Sequence, residues 1–162
     1  MLRRQRFALS APAVEGAARK AGRDPKAIRI ITRLNTCIAT DGRGARDAVR
    51  PTVARYLGAG RLRSRTAAAQ GLALPAEALA SVAGAAYAAG MTPYLPLLPL
   101  ITDRHIDAFT LAGTVGEVTE HLIALREAGA DGVIARPIAA EGRTIEETIV
   151  TLGSDVWPRV LG

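Results

Sequence analysis

Residues 109–135 read FTLAGTVGEVTEHLIALREAGADGVIA, and this stretch decides the fold class. Phe109 to Ala112 is a short apolar run of strand-forming residues that stops at Gly113. Thr114 and Glu117 then make a T-x-x-E capping box, the signature of a helix start. Val115, Val118, Leu122 and Leu125 recur at helical spacing as far as Gly129. Val133, Ile134 and Ala135 form a second apolar strand that ends at Arg136-Pro137. Strand, helix and strand with tight connections imply parallel pairing and a right-handed crossover. The chain is therefore expected to be α/β.

The flanks extend this pattern. Downstream, Thr144 and Glu147 repeat the capping box, and Ile145, Thr148, Ile149 and Leu152 define the apolar face of a last helix. Upstream, IRIITRLNTCIA over 28–39 reads as a long strand, with Ile28, Ile30, Leu34 and Ile38 on one parity. A helix is predicted from Ala45 to Leu57, kinked or restarted at Pro51 and closed by Gly58 and Gly60. Residues 61–75 read as irregular and basic, and Ala76 to Ala89 as a helix. Pro93, Pro96 and Pro99 recur every third residue, the mark of an apolar loop packed on the core or of a polyproline recognition segment. Asp103 to Asp107 predicts a short helix. At the start, Ser10 is expected to cap a helix with Pro12 in its first turn and Gly22 at its end.

The length of 162 residues fits one domain, 1–162. A complete (β/α)8 barrel typically needs roughly 250 residues, so a whole barrel is excluded. With 49% apolar and only 4% aromatic residues, the core must rest on many small contacts, largely of alanine. The single cysteine, Cys37, excludes an intrachain disulfide and a Cys-rich zinc site, and implies a reducing compartment. The net charge of +6 divides into +12 over residues 1–65 and −6 over 66–162. The basic residues are nearly all arginine and are scattered over several elements, so no nucleic-acid partner is expected. The apolar run in the opening segment, Phe7 to Leu9, is far shorter than a secretory signal needs, and no run spans a membrane. A cytoplasmic protein with no membrane partner is expected.

Three stretches together resemble the luciferase-like monooxygenases, in particular the branch that uses the deazaflavin coenzyme F-420. They are AGRDPKAIRI (21–30), FTLAGTVGEVTEHLIALREAGADGVI (109–134) and ETIVTLGSDVWPRV (147–160), in the family's order. The resemblance covers residues 11–160 and leaves 1–10 unmatched. It implies the C-terminal portion of a TIM-type (β/α)8 barrel, about strands six to eight, with a helical or irregular insertion over about 58–105. Three strands cannot close, so the barrel would be incomplete and the chain truncated relative to the family. The prolines at 93–99, the basic residues at 61–65 and Gly116 depart from the family pattern.

The resemblance implies a flavin or deazaflavin-dependent oxidoreductase or monooxygenase acting on a small organic substrate, with coenzyme F-420 or FMN as cofactor. Much of the cofactor cradle belongs to the family's N-terminal half, which puts activity of this chain alone in doubt. The alternative is a non-catalytic half-barrel that joins a complementing chain or a copy of itself.

Barrel chemistry gathers at the C-terminal ends of strands. Arg136, ending the last strand, is a candidate to hold a phosphate or carboxylate; its plain alternative is an ion pair with Glu141 or Asp131. Gly113 and Thr114, at a helix start, are candidates for anion binding or simple capping. Asn35, with Thr36, is a candidate on the first strand. His105, beside Asp103 and Asp107, reads as the start of a solvent-facing helix, with a proton relay through the cluster as the alternative, and His121 as a helix-surface neighbour of Glu117. Their spacing matches no metal site, and no Ser–His–Asp set or phosphate-binding G-x-x-x-x-G-K loop is present.

Overall fold

Eight residues, Ile31–Ile38, form the central strand, β1. A computed structural model describes residues 12–162, with residues 61–64 and 87 as backbone only. The Ser10 cap lies outside the described residues. β1 starts three residues later than its β-branched run predicts, because Pro25–Ala27 form a 3-10 turn whose cap is Ile28. The Ile30 amide donates to the Asp131 carboxylate at 2.6 Å, which ties the entry of β1 to the entry of the last strand.

β2 spans Thr110–Gly113 and β3 spans Gly132–Pro137. Both run parallel to β1, in the order β2-β1-β3. The parallel α/β architecture is thus as expected, but the placement of the strands is not. Consecutive barrel strands are neighbours, so three in a row would put the second in the middle. Here the first is central. β3 pairs with residues 31–36 of β1, whereas β2 pairs only with residues 35–38, at the strand's C-terminal end.

Alternation along β1 divides the core in two. Leu34 and Ile38, with Leu111 of β2, pack under α6 (Val115–Glu127) and the last helical segment. That segment is α7 (Ile145–Thr151), a π turn over Leu152–Val156 and α8 (Trp157–Leu161). Cys37 and Ala112 point the other way, into a cluster with Ala45, Val49, Val53 and Leu57 of α2 (Gly42–Gly58). A short helix (residues 12–20), α1, precedes β1, and α5 (Asp103–Phe109) leads into β2.

Several local expectations are corrected. α2 runs through Pro51 as one helix, because Val49, Val53, Ala54 and Leu57 are buried on both sides of the ring and hold it. Part of the stretch read as irregular is a helix, α3 (Arg61–Ala68), and the next, α4, is only Ala76–Ser81. The apolar segment with the prolines packs on the core as expected, but as a 3-10 helix, Thr92–Leu100, rather than a loop or a polyproline helix. Its three residues per turn place Tyr94 and Leu97 inward, both fully buried, while Pro96 and Pro99 face out. On α7 only Thr148 is buried; Ile145 and Ile149 stand exposed. No helix among the described residues is long and apolar enough to cross a membrane.

Gly58 lets the C-terminal end of α2 meet this 3-10 helix. A Cβ there would lie 2.7 Å from Leu97 and 2.8 Å from Tyr94. Gly58→Ala is expected to destabilise the fold by about 1–3 kcal/mol, the range for overpacking a filled core. Urea unfolding of the two proteins checks this; an unchanged midpoint would show that the contact yields freely.

Candidate functional site

The C-terminal ends of β1 and β2 open into a cleft of about 370 Å3. Thr40 follows β1, Thr114 and Gly116 start α6, and Arg143 and Asp155 come from the segments on either side of α7. The cleft is therefore built where parallel strands end and a helix begins, the usual place for a ligand in α/β proteins.

The α6 start is heavily tied down. The Glu117 amide donates to the Thr114 hydroxyl oxygen at 3.3 Å. In return the Thr114 amide and hydroxyl donate to the Glu117 carboxylate at 2.7 and 3.0 Å. The other carboxylate oxygen accepts from Arg46 at 2.6 Å, and Arg46 also bonds the Gly42 carbonyl in α2 at 3.1 Å. The Arg46 bond, ahead of the Thr114 donors, drives the Glu117 pKa down to about 2 and raises that of Arg46. Gly113, at φ +153°, and Gly42 make room: a Cβ on either would sit 2.6 Å from the Glu117 carboxylate. The capping box read from sequence is present, and Gly113 and Thr114 act first as scaffold for it.

Arg143 stands 3.5 Å from Glu147, which completes the second capping box with Thr144. Cys37 is buried beside this region. Burial pushes its thiol pKa up and the Arg143 charge pulls it back, so it stays a protonated core residue.

Asn35 and Arg136 lie elsewhere. They are register partners on β1 and β3, and share the sheet face opposite α6. Arg136 is exposed, and it forms no ion pair with Glu141 or Asp131. Asp131 is engaged with the Ile30 amide instead. Thr36 points to the other face, fully buried. The four candidates thus form two groups, Gly113 with Thr114 at the cleft and Asn35 with Arg136 on the sheet. Arg143 and Asp155 were missed, since nothing local marks them; the fold alone brings them together.

His105 departs from its reading as a solvent-facing residue. It is 6% exposed, and its Nδ1 accepts from the Thr102 amide at 3.1 Å. That places the ring proton on Nε2, and burial, the largest cause, lowers the pKa. Asp103 is paired with Arg50 at 2.9 Å, so no proton relay forms around the ring. His121 is half-buried on α6. Among the described residues no group of three His, Cys, Asp or Glu is placed to hold a metal.

The family model of the luciferase-like monooxygenases matches residues 1–132. The chain belongs to that family. The match takes in residues 1–10, which carried no recognisable motif. Among solved structures, a coenzyme F-420 dependent tetrahydromethanopterin reductase from Methanopyrus kandleri is similar, with a TM-score of 0.74 and 24% identity. The superposition covers 95% of this chain and 42% of that one, so the chain spans well under half of the reductase. No curated relative matches by sequence.

Two outcomes follow for the α6 start. Thr114→Ala is expected to cost about 0.5–2 kcal/mol in urea unfolding, as loss of an N-cap does. Glu117 contributes stability in full above its ordinary pKa of 4.5, and loses it as pH falls towards about 2. The wild type should therefore weaken over that range more steeply than Glu117→Gln. Parallel pH profiles of the two would refute the ion pair's role.

Proposed function

We propose that this chain is the C-terminal portion of a flavin- or deazaflavin-dependent oxidoreductase that acts on a small organic substrate in the cytoplasm. Its family membership over residues 1–132 carries the reading. In this reading β1 and β3 are successive barrel strands, since they pair directly, and β2 is an extra strand that follows the insertion. Barrel helices lie outside the strands. The β1–β3 face under α6 and α8 is then the outer one, and the C-terminal end of the opposite face is covered by α2 over Cys37.

The residues present suit one part of coenzyme F-420 or FMN. Thr40 and Arg143 offer hydroxyl and cationic donors beside a 13-residue helix start, chemistry that suits an anionic tail. The coenzyme, when bound, supplies two-electron redox chemistry. Arg143 and Thr40 would hold the tail, while Thr114, engaged with Glu117, keeps the strand ends in register beneath it. The walls for a flat ring system are not among these residues.

Calorimetric titration tests this. FMN or coenzyme F-420 should bind the isolated chain with a Kd weaker than about 1 μM, and Arg143→Gln should weaken it further. Absence of binding fits a chain that lacks most of the cradle; a micromolar or tighter Kd, or binding indifferent to Arg143→Gln, would overturn this reading.

A second reading, a non-catalytic unit that works by association, is favoured by one observation. Ile31 and Ile134 are 51% and 55% exposed on a parallel sheet, a kind of sheet normally covered on both faces. Sedimentation at tens of micromolar should show more than monomer; a monodisperse monomer would count against association.

A further inference from the structure

The helices α5, α6 and α7 each start with a capping box, and one of the boxes differs in chemistry. Thr114 with Glu117 and Thr144 with Glu147 close theirs through a carboxylate. At the start of α5 the partner of Thr102 is His105, in a T-x-x-H sequence. The Thr102 amide donates to the ring Nδ1 at 3.1 Å, and the Thr102 hydroxyl lies 2.8 Å from the same atom. A glutamate carboxylate stays an acceptor until well below neutrality, whereas an imidazole nitrogen stops accepting once it takes up a proton. A protonated ring sets an N–H against the Thr102 N–H. The hydroxyl can turn to accept from it, but the backbone amide cannot.

Among the described residues, no carboxylate is free to offset a charge on this ring, which is 6% exposed. On α5 itself, Asp103 is drawn to Arg50 at 2.9 Å and Asp107 lies 3.9 Å from Arg46, while Arg104 repels a charged ring. α2 packs against α5 and brings Arg46, Arg50 and Arg55, together with Asp47, which pairs with Arg50 at 3.0 Å. β2 and residues 66–75 carry no titratable group, and the 3-10 helix carries only Tyr94, whose hydroxyl donates to the Ala85 carbonyl at 3.0 Å. The Leu72 carbonyl favours the charged ring, but burial outweighs it and holds the pKa below the ordinary 6.5.

We infer that the Thr102–His105 box is an acid-sensitive latch on α5. With the ring neutral, it closes the first turn of α5 and seats the ring against Leu72. With the ring protonated, that turn lets go. The release stays local. Beyond α5, the Thr110 hydroxyl donates to the Ile106 carbonyl at 2.8 Å, and the far end of β2 is fastened by the Glu117 box. The neutral ring belongs to the closed form, so the latch contributes in full above pH 6.5 and is lost as pH falls from there towards the lower folded value. The device uses no coenzyme and stands apart from the proposed activity.

The test follows backbone amide exchange of the full chain from about pH 7.5 to about pH 5, each rate divided by its intrinsic value, while the His105 ring is titrated alongside. Opening at the Thr102 and Ile106 amides is expected to increase about tenfold per pH unit below 6.5, until the ring is fully protonated. The Thr114 and Thr144 amides, held by carboxylates, should keep their protection over the same range. His105→Gln supplies an acceptor at every pH, as the glutamine form of a capping box does, so its α5 amides should show no such increase. Unchanged protection at Thr102 while the ring titrates, or the same increase in His105→Gln, overturns the latch. An equal increase at Thr114 and Thr144 would be global unfolding, and overturns it too. The comparison of the three boxes in the wild type decides the matter even if His105→Gln does not fold.

Discussion

Glu117 is the point on which the arrangement of the strand ends turns. Its carboxylate is shared between the Thr114 backbone and hydroxyl on one side and Arg46 on the other. One group thereby caps α6, closes the turn after β2 and joins both to α2, the helix that follows β1. The ion pair is partly exposed, so its Coulomb energy in water is modest. Its effect lies in geometry. The carboxylate fills the space that side chains at Gly42 and Gly113 would take, so the two glycines, the acid and the arginine form one mutually dependent set.

That set explains why β2 is short. Its four residues are fully buried and pair with only the last four of β1. Once Gly113 is turned to accept the α6 cap, the strand has no room to continue. β1, four residues longer, offers its remaining edge to β3. β2 and β3 thus take opposite edges of β1 and overlap at residues 35–36, which gives the order β2-β1-β3. Anchoring at the bottom comes from Asp131 on the Ile30 amide, which aligns β3 with the start of β1. Top and bottom of the sheet are each held by one carboxylate.

The elements that rest on local chemistry were legible in the sequence. Both T-x-x-E boxes are formed, β2, β3 and α6 lie close to their predicted limits, and Cys37 is a core residue. What tertiary packing decides was not. Pro51 should break an isolated helix, yet burial on both sides of it outweighs the lost backbone bond. The proline period of three fits a polyproline helix and a 3-10 helix equally, and only the burial of Tyr94 and Leu97 separates them. His105 looked polar among two aspartates; Arg50 and Arg46 draw those aspartates away and leave the ring to the Thr102 cap. For the candidate site, Thr114 and Gly113 were visible as a helix start, while the Asn35–Arg136 pairing needed the strand order, which no motif encodes.

The two groups of candidates differ in how their charges are satisfied, and this separates scaffold from bare surface. At the α6 start, Arg46 lies against a carboxylate and two backbone carbonyl or amide partners are engaged around it. Replacing any member leaves another unpaired, which is the behaviour of structure. On the β1–β3 face Arg33 and Arg136 meet no carboxylate among the described residues, and Ile31 and Ile134 beside them stand half exposed. A parallel sheet gains nothing from leaving such a face bare. The saturated group holds the strand ends still; the bare β1–β3 face is one that a parallel sheet ordinarily covers.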